Sequence, residues 1–331
     1  MDIKKILETP QSILDLGDID DSPGPYCMSF GFDLEPLIKS IQNVGMINSP
    51  LLILIENQGG AHTVIAGYRR IRALKALDYE RTPCRLLSES QLSTLECLLL
   101  NLYDNLATRR LNEVERGMVL SRLESLVSQE EILDCYMPLL ALPSHKETLH
   151  FYLRLERELE EEPKHYLAQG HMSLQVARML LEIGQGARSR VFDLISRLKL
   201  NINQQKQLID YIVDLAHINK ISISDFLEEK PFEDILQKED MNKPQKAKTS
   251  LHFLRALRFP TLVRAEKDFR KNVAGLGLPE GVRISAPPYF ESPHYRLEIL
   301  FEDGKELGEK LKDLLKKEGL EGLGNPWEEG G

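Results

Sequence analysis

The chain has 331 residues, about twice the length of a typical single domain, so two or three compact units are expected. With 42% hydrophobic and 28% charged residues it has enough apolar matter for packed cores, which excludes a wholly disordered chain. A net charge of −9 excludes a uniformly basic coat for nucleic acid but leaves room for a local basic patch.

Residues 1–30 carry Pro10, Gly17, Pro23, Gly24 and Pro25 among scattered acids and read as an irregular lead-in with one strand near Ile13-Leu14. Asp33 can cap a helix whose apolar positions Leu34, Leu37, Ile38 and Ile41 share one face, with Gly45 as its stop. Two strands follow, Pro50 to Ile55 and Ala61 to Ala66, around the turn signal Asn57-Gln-Gly-Gly60, and predict a hairpin. Gly67 opens a helix over Arg69 to Leu77, Pro83 to Leu86 forms a strand, and Leu92, Leu95, Leu98, Leu99 and Leu102 stripe another helix. After Asn105 the pattern is helical: Glu113 to Val127, then two capping boxes at Ser128/Glu131 and Ser144/Glu147, then stripes through Leu174 to Ile183, Val191 to Leu198 and Leu208 to Ala216.

The polar stretch 238–249 lacks apolar periodicity and is expected to be a linker. Beyond it lie a helix from Ser250 to Val273, strands at Val282 to Ser285 and Tyr295 to Phe301, a helix from Gly304 to Lys317, and a loose tail holding Trp327, the only tryptophan. The expected domains are therefore 1–30 as lead-in, 31–110, a helical 111–237, the linker 238–249, and a small α-β-β-α unit over 250–331. No run reaches the roughly 18 apolar residues that a membrane helix needs. The start shows no signal-peptide core, so a cytoplasmic protein without membrane contact is expected.

Cys27, Cys84, Cys97 and Cys135 form no Cys-x-x-Cys pair and have no histidine at zinc-finger spacing, so reduced, partly buried thiols are expected. The eight histidines show no ligand spacing.

The densest positive cluster is Arg69, Arg70, Arg72, Lys75, Arg81 and Arg85, against only Asp78 and Glu80. Gly67 stands between a strand and this helix, where first-turn amides and the helix dipole favour an anion and Arg69 and Arg70 supply forks for phosphate oxygens. The competing reading is a basic helix face paired with the chain's many acids.

Ala66-Gly-Tyr-Arg-Arg-Ile-Arg-Ala73 resembles the Gly-Glu-Arg-Arg-x-Arg-Ala signature of the ParB/sulfiredoxin superfamily, in its ParB branch. Two flanking segments resemble that branch in the same order. Leu37 to Pro50 is similar to its helix followed by Gly-Leu-Ile-Gln-Pro, and Asp104 to Glu115 to its Glu-Asn-Leu-Gln-Arg-x-x-Leu-Asn-Pro-Ile-Glu box. The resemblance implies a ParB/sulfiredoxin-like α/β N-terminal domain; with the all-α middle domain and a small C-terminal domain, whose α-β-β-α order is similar by element order alone to the dimerisation domains of some ParB-like proteins, an α+β multidomain protein is expected. It also implies a pocket for CTP formed by Gly45, Pro50, Gly67, Arg69, Arg70 and Asn105, with magnesium on Asp104 and Asn105. The signature departs at Tyr68, where the family has Glu, and at Ala107-Thr108, where it has Gln-Arg. Loss of that guanidinium is expected to weaken triphosphate binding by about 1.5–3 kcal/mol, and whether weak CTP hydrolysis survives is left open.

The helical block resembles the family's helix-turn-helix. Val127 to Leu133 stands for its first helix, Ser144 to Leu155 for its recognition helix, and Gly170 to Leu180 for its downstream helix, so His145, Lys146 and Thr148 are the candidates for reading DNA. Two features oppose this. The connection Asp134 to Pro143 is longer and more apolar than a short turn, and residues 128–181 hold five basic side chains against nine acidic. The expected partners are DNA, a nucleotide and a second copy of the chain, through residues 249–331. The alternatives are an enzyme of the superfamily acting on nucleotide or a small metabolite, with Glu35 or Glu56 as general base, and an interaction scaffold without ligands. A sulfiredoxin-type activity would need a cysteine in the Gly-rich turn, and none stands there.

Overall fold

The computed structural model describes residues 9–54, 62–88, 92–229, 231–292 and 294–324. Contacts divide the chain into two units, Met1–Ile209 and Asp210–Gly331.

The first unit is built on a five-stranded sheet in the order β1-β5-β3-β4-β2, with β1 at Gln11–Asp15, β2 at Ile19–Asp20, β3 at Leu51–Leu54, β4 at His62–Ala66 and β5 at Arg81–Ser88. The expected pair β3 and β4 is antiparallel, while β5 runs parallel to β3 and antiparallel to β1. The turn Asn57 to Gly60 lies outside the described residues. Because β3 is central, adjacent residues Leu52 and Ile53 are both buried, so it reads as an unbroken apolar run rather than an alternating one.

Helices α1 (Glu35–Val44) and α2 (Tyr68–Ala76) cover the sheet through Ile41, Ile71 and Leu74, which join Leu52, Val64 and Cys84 in one core. Gly45, at φ 75°, ends α1 and donates to the Ile41 carbonyl. Asp33 does not cap α1: the N-cap is Leu34, and the Asp33 carboxylate instead accepts from Glu35 N in the preceding turn.

Helix α3 (Thr94–Thr108) opens with a capping box between Ser93 and Glu96, and α4 (Glu113–Leu123) with one between Asn112 and Glu115. Next come α5 (Gln129–Glu131), a π-helical stretch Ile132–Tyr136 and α6 (Met137–Leu139), a continuous rod capped by Ser128. Then follow α7 (Lys146–Glu158), α8 (Glu161–Ala168), α9 (Leu174–Leu181), α10 (Gln185–Leu198) and α11 (Ile202–Asn219). The expected capping box at Ser144/Glu147 does not form. Helix α7 starts one residue later, with His145 as an N-cap that makes no side-chain bond.

The second unit holds α12 (Ile223–Glu229), α13 (Phe232–Gln237), α14 (Lys243–Arg258), α15 (Pro260–Gly275), the antiparallel pair β6 (Val282–Ser285) and β7 (Arg296–Ile299), and α16 (Gly304–Leu315). Two expectations are corrected here. Residues 243–249, read as linker, are the first turns of α14, which has a capping box between Asn242 and Gln245 and buries Ala247 and Ser250. The single helix expected over Ser250 to Val273 is two, because Pro260 cannot donate to the preceding turn and becomes the first residue of α15. Trp327 and residues 325–331 lie outside the described residues. Among the described residues no helix is long and apolar enough to cross a membrane.

Candidate functional site

The chain turns from β4 into α2 at Gly67, whose φ of 97° is left-handed. A Cβ there would come within 3.1 Å of the Pro50 Cα and 3.4 Å of the Arg70 Cζ, so both backbone angle and space call for glycine. Gly67 also brings no side chain to cap α2. The uncapped helix start, the positive end of its dipole, borders a cavity of about 310 Å³ lined by Gly45, Gly67, Arg69, Arg70, Asp104 and Arg109 among others.

Arg70 folds back over Gly67. Its Nη1 donates to the Asn48 carbonyl at 2.9 Å and its Nη2 to Asp104 at 3.2 Å, so one guanidinium braces the loop after α1 against α3. Arg69 lies over the Phe32 ring at 4.6 Å, donates through Nε to Ser29 Oγ and through Nη2 to Glu115 at 2.7 Å. Burial first, and the neighbouring Arg109 second, pull the Arg69 guanidinium below the usual arginine value, and Glu115 opposes them. Arg109 donates to the Asn105 amide oxygen, Glu115 and the Met28 carbonyl. Three others of the basic cluster follow the competing reading: Arg72 and Lys75 face Asp21, and Arg81 pairs with Asp15.

The structure thus brings Gly45, Gly67, Arg69, Arg70, Asp104 and Asn105 to one cavity. Pro50 packs behind Gly67 and does not line it. Asn105 is held by two bonds to Asn101, and its Oδ1 accepts from Arg109 at 2.7 Å, so Asp104, half exposed, is the open carboxylate of the expected metal pair. Among the described residues no group of three His, Cys, Asp or Glu side chains could hold a metal. The donor set suits a magnesium ion that takes most of its ligands from phosphate and water. No cysteine lines the cavity. Cys27, Cys84 and Cys97 are buried, and burial pushes Cys97 up to about 11. Glu35 does not line the cavity either, and Glu56 lies outside the described residues.

Residues 28–105 match the family model of the ParB N-terminal domain. The chain carries a ParB-like N-terminal domain. The probable chromosome-partitioning protein ParB of Coxiella burnetii is 27% identical over 180 residues, 54% of this chain and 58% of its own length. Its counterpart from Vibrio cholerae is 25% identical over 178 residues, 53% of this chain and 57% of that one. The match therefore spans little more than half the length of these relatives. A crystal structure of C-terminally truncated ParB from Caulobacter crescentus complexed with CTP-gamma-S is 20% identical and covers 55% of this chain and 98% of its own, with a TM-score of 0.27, too low to bear on the fold.

The third box, Asp104 to Glu115, is modified in a way its spelling conceals. Thr108 takes the place of the family's arginine and bonds back to the Asp104 carbonyl. The next residue, Arg109, ends α3 in an extended conformation (φ −156°, ψ 168°), which turns its side chain into the cavity wall. A guanidinium is present after all, one residue late. Glu115 is the other residue the sequence reading left without a role. It is 1% exposed, and the Asn112-x-x-Glu115 capping pattern was the signal for it.

Helix α7, in the recognition position, buries Leu149, Phe151, Tyr152, Leu153 and Leu155. His145 and Lys146 are exposed at its start, and Thr148 is half-buried beside buried Leu149. The connection before it is shorter than expected. The rod continues through Leu139, leaving only Leu140 to His145, with Ala141 at a left-handed φ of 55°. Of the basic residues further along α7, Arg154 is tied to Glu158 and Glu182, and Arg157 to Glu124.

Proposed function

We propose that the chain is a cytoplasmic, DNA-associated clamp or adaptor of the ParB type, serving chromosome or plasmid partition, and that it binds a nucleoside triphosphate at the cavity beside Gly67. One observation carries the reading: the uncapped start of α2 and the guanidinium groups of Arg69, Arg70 and Arg109 converge on one cavity beside a half-exposed carboxylate. Phosphate oxygens would take the first-turn amides and the outer donors of Arg69 and Arg70, and the family resemblance names CTP as the nucleotide. Magnesium, when bound at Asp104, neutralises phosphate charge; Asn105 serves by fixing Arg109 rather than by ligating.

The same cavity residues are stitched to the helical block. The Arg109 and Arg69 partners Met28, Ser29 and Glu115 include the first turn of α4, and Phe30, bonded to Glu115 and Asn112, lies tilted against the His165 ring of α8 with centroids 4.5 Å apart. Ligand that shares Arg69 biases the arrangement of these elements, a population shift between clamp states. DNA is read from the exposed start of α7 by His145 and Lys146, with Thr148 lending its hydroxyl.

Binding of a labelled DNA duplex to the full chain, followed by anisotropy with and without CTP and magnesium, tests the reading. We expect CTP, and not GTP or ATP, to change the affinity, and Lys146→Ala to reduce the salt dependence by about one phosphate contact. A DNA affinity that no nucleotide alters removes the clamp mechanism.

Homodimerisation is part of the proposal. Leu297, Leu300, Phe301, Leu311 and Leu315 of the C-terminal unit are exposed, and a two-stranded sheet is marginal alone. A second copy covers that surface. Sedimentation of the full chain should give a dimer that Phe301→Glu dissociates; a wild-type monomer contradicts it.

A further inference from the structure

We propose that Glu115, which lies beyond the matched residues 28–105, is a positioning residue for phosphate binding: its buried carboxylate holds the Arg69 guanidinium in the cavity wall. The proposal rests on the reading of the cavity as a phosphate site. Glu115 is 1% exposed, and both oxygens are engaged. Oε1 accepts from Arg69 Nη2 at 2.7 Å and from Phe30 N at 3.1 Å. Oε2 accepts from Arg109 Nη1 at 2.5 Å and from Asn112 N at 3.0 Å. Four donors thus meet one carboxylate, two of them on guanidinium groups that would otherwise repel each other across a poorly hydrated wall. Arg69 Nε is taken by Ser29, so the bond to Glu115 fixes the plane of the fork and leaves the Nη1 hydrogens and the second Nη2 hydrogen for a ligand. The Phe32 ring, 4.6 Å away, closes the other side.

Glutamine in this place keeps the shape but has one acceptor oxygen and one amide that donates. However it turns, its amide nitrogen faces one guanidinium and one backbone N–H, so one of the two arginines loses its acceptor. Removing the negative charge by itself would favour an anion, so the sign of the effect separates positioning from simple charge.

The test is calorimetric titration of the full chain with two probes, CTP with magnesium and inorganic tripolyphosphate, for wild type, Glu115→Gln, Arg69→Ala and the double variant. We expect Glu115→Gln to weaken both probes by about tenfold, and by less than about twofold in the Arg69→Ala background, because neighbours that act through one another are not additive. Unchanged or tighter binding in Glu115→Gln, or a full additional loss in the double variant, overturns the proposal. Should Glu115→Gln fail to fold by circular dichroism, Arg69→Lys decides: it keeps the charge but cannot reach Ser29 and Glu115 together, and an affinity equal to wild type overturns the proposal. A wild-type chain that binds tripolyphosphate but not CTP refutes the nucleotide reading alone, and the variants are then judged on tripolyphosphate. Binding of neither probe refutes both.

Discussion

Replacing Arg70 by alanine is expected to weaken CTP binding by about ten- to a hundredfold while leaving the fold in place. The side chain carries three donations at the cavity, to the Asn48 and Ser49 carbonyls and to Asp104, so it both shapes the loop after α1 and presents charge to the ligand. A charge-assisted bond to phosphate contributes about 1.5–3 kcal/mol, which sets the range. The cost to stability is small by comparison, within about 1 kcal/mol, because Asp104 is half exposed and water replaces its partner. Isothermal titration beside a urea denaturation curve measures both. An affinity unchanged in Arg70→Ala removes the fork from the site.

The second large effect is expected from Gly67→Ala, and here stability and binding fall together. Alanine at φ 97° is strained, and its Cβ would press on Pro50 backbone that cannot rotate away, 3.1 Å distant, and on the Arg70 guanidinium at 3.4 Å. Strain and overpacking together cost about 2–4 kcal/mol. The displaced Arg70 also loses its grip on Asn48, so CTP affinity should drop at least as far as in Arg70→Ala. A variant with wild-type urea midpoint and affinity would show that the close approach at Gly67 is dispensable.

These two residues are legible in the sequence. A glycine between an apolar run and an arginine-rich helix already suggests an open helix start that favours an anion, and the three ordered boxes point to the ParB-like domain that residues 28–105 match. The other partners are not, for particular reasons. Thr108 read as a lost guanidinium because spacing along a helix places every side chain by its register, and Arg109 escapes that register by leaving the helix in an extended conformation. Glu115 closes the third box in the sequence but carries no role there; only the contact of α4 with the segment Met28 to Phe30 makes it the common acceptor for two arginines. Residues 243–249 lacked an apolar stripe because they bury little beyond Ala247 and hold their helix through a capping box and Pro at its start. The length of the turn before α7 was misjudged because a π-helical stretch, Ile132–Tyr136, carries the rod further than α-helical periodicity predicts.

The central claim is that the arginine-lined cavity at the start of α2 receives a triphosphate. A crystal structure of the full chain grown with CTP and magnesium tests it directly. The account predicts phosphate density against the first-turn amides of α2, in contact with Arg69 and with an Arg70 that has turned from Asp104 toward the ligand. Nucleotide bound elsewhere, or an empty cavity at saturating CTP with Arg70 still clamped to Asp104, would contradict it.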